Sequence, residues 1–253
     1  MRNRLIHALS LLVLGFALMA PEALLAQKLH VQAQSVPAAS RMPQGSRLGV
    51  ADLDRIIQLI TTVTEFPDGR RTVQVGSGFI VGRHYITVHH NLTSVSSTAA
   101  TRKTMYLDGI PLTPSYTHAE YDVAVFDLPK ELCERYCNEI AIDTMPELTR
   151  DHQIYWLRKF QDEFMVKEGR VLNYAFIGEP PAASDPYGMQ GCKANLIVEV
   201  DTPFIPGSSG APVLDTATGR IIGIIQGSFE RTAGRSGYFK PIHCVAPFVG
   251  QTF

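Results

Sequence analysis

The stretch LIVEVDTPFIPGSSGAPVLD, residues 196–215, joins two short apolar runs through a segment of proline, glycine and serine. Such a composition usually makes only a connection between strands. Two adjacent serines between glycines raise a second possibility, that one of them is a nucleophile, and the rest of the chain must decide it. The continuation VLDTATGRIIGII reads as strand, loop and strand, with Asp215 and Gly219 in the loop, so the serine segment leads directly into a hairpin.

Working outward, the chain breaks into similar short runs: RIIQLITTVT, TVQVGSGFIVG, YITVHH and DVAVFDLP, separated by Gly, Pro, Asp and Asn. β-branched residues dominate them, which predicts strands, and helical periodicity is confined to short stretches near 130–138 and 242–250. The fold class expected is all-β, a barrel or sandwich assembly. With 253 residues, 45% hydrophobic and 19% charged, the chain can bury a core for one unit or two close subdomains. The formal net charge of -1, with no dense Lys/Arg cluster and no zinc-finger spacing, argues against nucleic-acid partners.

The N-terminus, MRNRLIHALSLLVLGFALMAPEALLAQ, places Arg2 and Arg4 before an apolar run and small residues. It reads as a signal peptide over 1–26, cleaved after Ala26, with Ala33 as a second candidate site. The alternative is a retained anchor, since Leu5 to Leu25 could just cross a bilayer, but His7, Ser10, Pro21 and Glu22 interrupt it. The expected product is periplasmic or secreted, with no membrane association after cleavage. Residues 27–47, polar and small, read as a flexible segment. Of four cysteines, we expect Cys133 with Cys137, which are local, and Cys192 with Cys244, although sequence alone does not fix connectivity. Their spacing does not suit a zinc site.

A serine nucleophile needs a base within hydrogen-bond reach and a carboxylate to hold that base. GSGFIVGRHYITVHHNL, residues 76–92, ends its second strand with His89 and His90. EYDVAVFDLP puts Asp122 just before an alternating strand and Asp127 at its far end. His84 and His118 stand in no motif and read as surface residues.

These motifs, in this order, resemble the chymotrypsin-like serine proteases, most closely the bacterial HtrA/Deg type. The resemblance runs through GSGFIV, ITVHH, YDVAV, LIVEVDTPFIPGSSGAPVLD and RIIGII, roughly residues 70–245. It implies two antiparallel six-stranded β-barrels with a short C-terminal helix: a protease domain over 48–250, its first barrel about 48–150 and its second about 151–250. It implies His90 as general base, with His89 as the neighbouring alternative, Asp122 as the orienting acid and Ser209 as nucleophile. The backbone N–H groups of Gly207 and Ser209 would form the oxyanion hole, and Pro203, Phe204, Gln226, Gly227, Ser228 and Gly237 would line the specificity pocket. None of those six is acidic, so small or medium apolar side chains are the expected preference, and Phe204 could equally be core.

The implied activity is that of an exported serine endopeptidase acting on protein or peptide substrates through an acyl-enzyme, with no cofactor and no metal. Digestive relatives carry Asp where this chain has Ser208, so activation by an ion pair with a new N-terminus is not expected. Many HtrA-type relatives carry PDZ domains, which we do not expect here. A binding protein on the same fold, catalytically inactive, is the rival reading, and the presence of all three catalytic residue types argues against it. An α/β hydrolase would show the order Ser, Asp, His, the reverse of that found. Oligomeric state is not legible.

Overall fold

The computed structural model describes residues 50–93, 102–140, 142–143, 148–160, 163–177, 192, 194–231 and 234–249. The expected signal peptide and flexible segment lie outside them. The first element, α1 (Val50–Ile56), is a helix that takes in Arg55 and Ile56, the first two residues of the run expected as a strand. Leu53 and Ile56, one helical turn apart, are buried in the core, so helical spacing wins until the β-branched run begins.

Then follow β1 (Ile57–Glu65), β2 (Arg71–Val81), β3 (His84–Thr87), the single turn α2 (His90–Thr93), β4 (Arg102–Leu107), β5 (Ile110–Leu112), β6 (Tyr116–His118) and β7 (Val123–Asp127). They form a seven-stranded antiparallel sheet in the order β5-β4-β1-β2-β3-β7-β6. The sheet curls as a half-barrel and, with the second half of the chain, gives the expected all-β, two-barrel class, staying open between its edge strands among the described residues. Closure would need β5 to pair with β6, but each has three residues, Pro111 sits within β5 and Pro114 follows it. Proline removes a ladder donor, so such strands stay at an edge.

The helix α3 (Lys130–Tyr136) begins directly after Pro129, as the sequence suggested, and Cys133 bonds Cys137 one turn on. The second half comprises β8 (Gln153–Phe160), β9 (Glu163–Phe176), β10 (Leu196–Val200), β11 (Pro212–Asp215), β12 (Ile221–Arg231) and β13 (Gly234–Pro241). These close into a six-stranded barrel, β10-β13-β12-β11-β8-β9. Two 3-10 turns, Ile242–Cys244 and Ala246–Val249, form the C-terminal helix, and Cys244 bonds Cys192. The expected pairing of all four cysteines is therefore present.

The run IIGII in β12 shows no alternation because both its faces are covered. Ile222 and Ile225 join Trp156, Val198, Val213 and Phe239 inside the barrel. Ile221 and Ile224 join Ile57, Phe79, Val125 and Leu157 in a core shared by the two sheets. That shared core brings the C-terminal end of β3 to the loop before β11. All described residues belong to the unit Ala39–Phe253, and none of their helices is long and apolar enough to cross a membrane.

Candidate active site

Strand β3 is buried between β2 and β7, and its chain turns at Thr87 into α2, which lifts His90 to the surface with its side chain 39% exposed. Asp122 lies in the turn between β6 and β7 with φ 53, a left-handed conformation that a non-glycine residue adopts at some cost. In that turn its N–H bonds the Ala119 carbonyl, which frees the carboxylate to face α2. One oxygen accepts the His90 backbone N–H at 2.8 Å, and the other lies 2.7 Å from Nδ1. With Nδ1 donating to a carboxylate, the tautomer that remains leaves Nε2 as an acceptor.

The serine loop is shaped by two left-handed glycines, Gly207 (φ 83) and Gly210 (φ 89). Gly210 allows close contact with the first sheet: a Cβ there would lie 2.0 Å from the Ser77 carbonyl and 2.4 Å from Thr87 Oγ1. Ser208 N–H bonds the Ile205 carbonyl and Gly210 N–H that of Ile225. Among the described residues, the N–H groups of Gly207 and Ser209 have no acceptor, as an oxyanion site requires.

Ser77 and Asn91, which sequence reasoning passed over, hold this loop against the first sheet together with Thr87. Ser77 Oγ donates to the Gly207 carbonyl at 2.7 Å, and Ser77 N–H to the Ser209 carbonyl at 3.1 Å. Asn91 Nδ2, one residue beyond His90, donates to the same Ser209 carbonyl at 2.9 Å. Thr87 Oγ1 donates to the Ser77 carbonyl at 2.7 Å and accepts from Asn91 at 3.0 Å. The one signal was GSG within an apolar strand: a Cβ on Gly76 would meet Asn91 at 2.3 Å.

The Ser209 hydroxyl donates to the Gln226 carbonyl at 3.5 Å, and no hydrogen bond to His90 is formed among the described residues. Gln226 directs its own side chain to the Tyr121 carbonyl at 3.1 Å, beside Asp122, so it joins the two sheets. Ser228 Oγ accepts from Phe204 N–H at 2.8 Å and donates to its carbonyl at 2.9 Å. The Phe204 ring is buried edge-on to Trp156 and presses on Gly237, where a Cβ would lie 2.8 Å from it. Gly227 faces the Tyr238 phenol, which burial and the Asp122 charge raise above its usual range. Pro203 is half-buried at the start of this segment. Of the six pocket positions, Phe204 therefore packs as core, while the 226–228 edge remains beside Ser209.

His84 and His118 depart from the surface positions expected of them. His84 Nδ1 lies 2.8 Å from Asp127 across the β3–β7 ladder, and His118 packs edge-on to Tyr121 and tilted against Phe248. Behind Asp122, Lys240 is 1% exposed, donates to the Leu196 carbonyl at 2.7 Å and lies 5.6 Å from the Tyr121 ring centre. Burial pulls Lys240 down to about 8, with the Asp122 charge opposing the fall. Between that value and the ordinary 10.5 the unfolded chain holds more protons than the folded one, so stability rises with pH across this window. The expected gain is about 3 kcal/mol from pH 8 to 10.5, read from denaturant melts of the wild type relative to Lys240→Met. Parallel curves for the two proteins would refute it.

A closed six-stranded barrel facing a second antiparallel sheet, with a His–Asp contact on one and a glycine-flanked serine on the other, defines a trypsin-like serine protease. The sequence pattern of the trypsin-like peptidase domain matches residues 76–224, and the chain belongs to that family. Among solved structures, the active form of the Rv3671c protease from M. tuberculosis is similar at 18% identity and a TM-score of 0.55, covering 84% of this chain and 87% of that one. The HtrA-type protease AlgW with tripeptide is similar at 16% identity and a TM-score of 0.53, covering 80% of this chain and 62% of that one. At these identities the likeness is one of fold. No curated protein sequence matches the chain.

Proposed function

We propose that this serine protease is an exported endopeptidase with Ser209 as nucleophile, His90 as general base and Asp122 as the acid that orients it. The supporting observation is the double grip of Asp122 on His90, with the next residue, Asn91, bonded to the Ser209 carbonyl. Ser209 Oγ leaves the Gln226 carbonyl, passes its proton to His90 Nε2 and attacks the peptide carbonyl. The N–H groups of Gly207 and Ser209 receive the developing negative charge. His90 then protonates the leaving amine, and water hydrolyses the acyl-enzyme by the same route. The substrate adds as an extended strand along residues 226–228, where main-chain pairing tolerates varied side chains.

A fluorophosphonate probe distinguishes this reading from the inactive binding protein. Labelling of the wild type and none of Ser209→Ala supports it, whereas an unlabelled wild type overturns it. Export rests on the basic, then apolar, N-terminus. N-terminal sequencing of the mature protein should begin at Gln27, and a chain still starting at Met1 would count against cleavage.

A further inference from the structure

Arg158 has no task in the mechanism above. It stands near the end of β8, where successive side chains take opposite faces. Tyr155 and Leu157 pack into the core shared by the sheets, and Ile154 and Trp156 into the barrel interior. Arg158 continues the face of Ile154 and Trp156. The β8–β11 ladder spans only Ile154 to Trp156, so Arg158 lies beyond it, level with the loop that feeds β11.

There its guanidinium meets Gly207. A Cβ on that glycine would sit 2.8 Å from Arg158 Nη2 and 3.2 Å from Cζ, so any larger residue would displace the cation. The adjacent Lys159 takes the opposite direction and bonds Asp54 at 2.7 Å. Gly207 and Ser209 N–H have no acceptor among the described residues. Two donors and a half-buried guanidinium thus make a concentrated positive potential, which an anion would answer. Burial lowers Arg158 from the usual arginine range, yet arginine stays charged at any working pH.

We propose that Arg158 is a positioning residue of the oxyanion site: its guanidinium braces the Gly207 peptide and sets a positive charge beside the oxygen that turns negative in the transition state. The proposal rests on Ser209 being the nucleophile. Such a charge acts more strongly on the transition state than on bound substrate, so it belongs in kcat rather than KM.

The test uses the mature chain, Arg158→Met, which keeps the apolar stem, and Arg158→Lys, which keeps the charge. Fluorophosphonate labelling of the wild type comes first, because its failure sinks the serine protease reading itself. On a peptide selected by library cleavage, Arg158→Met is expected to lower kcat roughly 10- to 100-fold with KM within about twofold, and Arg158→Lys to recover most of the loss. A peptidyl trifluoromethyl ketone supplies a readout that a merely structural role would not move. Ser209 Oγ adds to its carbonyl carbon, the serine proton passes to His90, and the former carbonyl oxygen becomes a hemiketal oxyanion whose ionisation 13C NMR reports. That ionisation is expected at a pH about one unit higher in Arg158→Met than in the wild type, with Arg158→Lys between them. An unchanged kcat or an unmoved hemiketal titration in Arg158→Met overturns the proposal, as does an Arg158→Lys that loses as much as Arg158→Met. Should Arg158→Met fail to fold, Arg158→Gln, which also removes the charge, is put to the same two readouts.

Discussion

Ser209→Ala is expected to lower kcat by on the order of 10⁶ while leaving thermal stability within a degree or two of the wild type, as removal of a catalytic serine does elsewhere. The stability half of this expectation comes from the hydroxyl's surroundings. Its one hydrogen bond, to the Gln226 carbonyl, is 3.5 Å long, and the loop is held by backbone and neighbouring groups instead. Ser77 and Asn91 bond the Gly207 and Ser209 carbonyls, all of which alanine retains. KM should change little, because the 226–228 edge and the two N–H donors survive. The measurement is kcat and KM on one peptide beside a melting curve. A loss below about 100-fold would mean that another group performs the attack, and a fall in melting temperature would mean the hydroxyl is structural.

What the sequence made legible depends on how local each signal is. His90 and Asp122 stand at strand ends whose apolar runs are plain, and the structure brings the two side chains together. Ser77 and Asn91 acquire their roles only from the loop packed across them. In sequence, Ser77 is a small residue in a strand and Asn91 a turn former. The half-barrel curl of the first sheet was less legible, because its edge strands β5 and β6 have three residues each, too few to show a pattern. Helix α1 was hidden because Leu53 and Ile56 run straight into Ile57, merging a helical period with a β-branched run. Arg158 could not have been read at all: its neighbour Gly207 is 49 residues further along, and only the end of the β8–β11 ladder brings them level.

Asp122→Asn is the sharper test of the site, because it changes one atom and leaves the shape. Asparagine tolerates the left-handed backbone at φ 53 better than most residues, so the turn should survive where alanine would strain it. Its amide oxygen can still accept the His90 backbone N–H, now 2.8 Å from Asp122 Oδ1. The other position becomes an NH₂ donor facing His90 Nδ1, which at present lies 2.7 Å from a carboxylate oxygen. Two donors cannot share that contact, so the imidazole takes the tautomer with its proton on Nε2. That nitrogen can then no longer accept from Ser209, and no negative charge stabilises the imidazolium. The expected result is a kcat lower by about 10⁴ with an unchanged melting temperature and KM. Losing less than tenfold would show that Asp122 merely shapes the turn, and the general base would then have to be sought at His89, the other histidine where β3 ends.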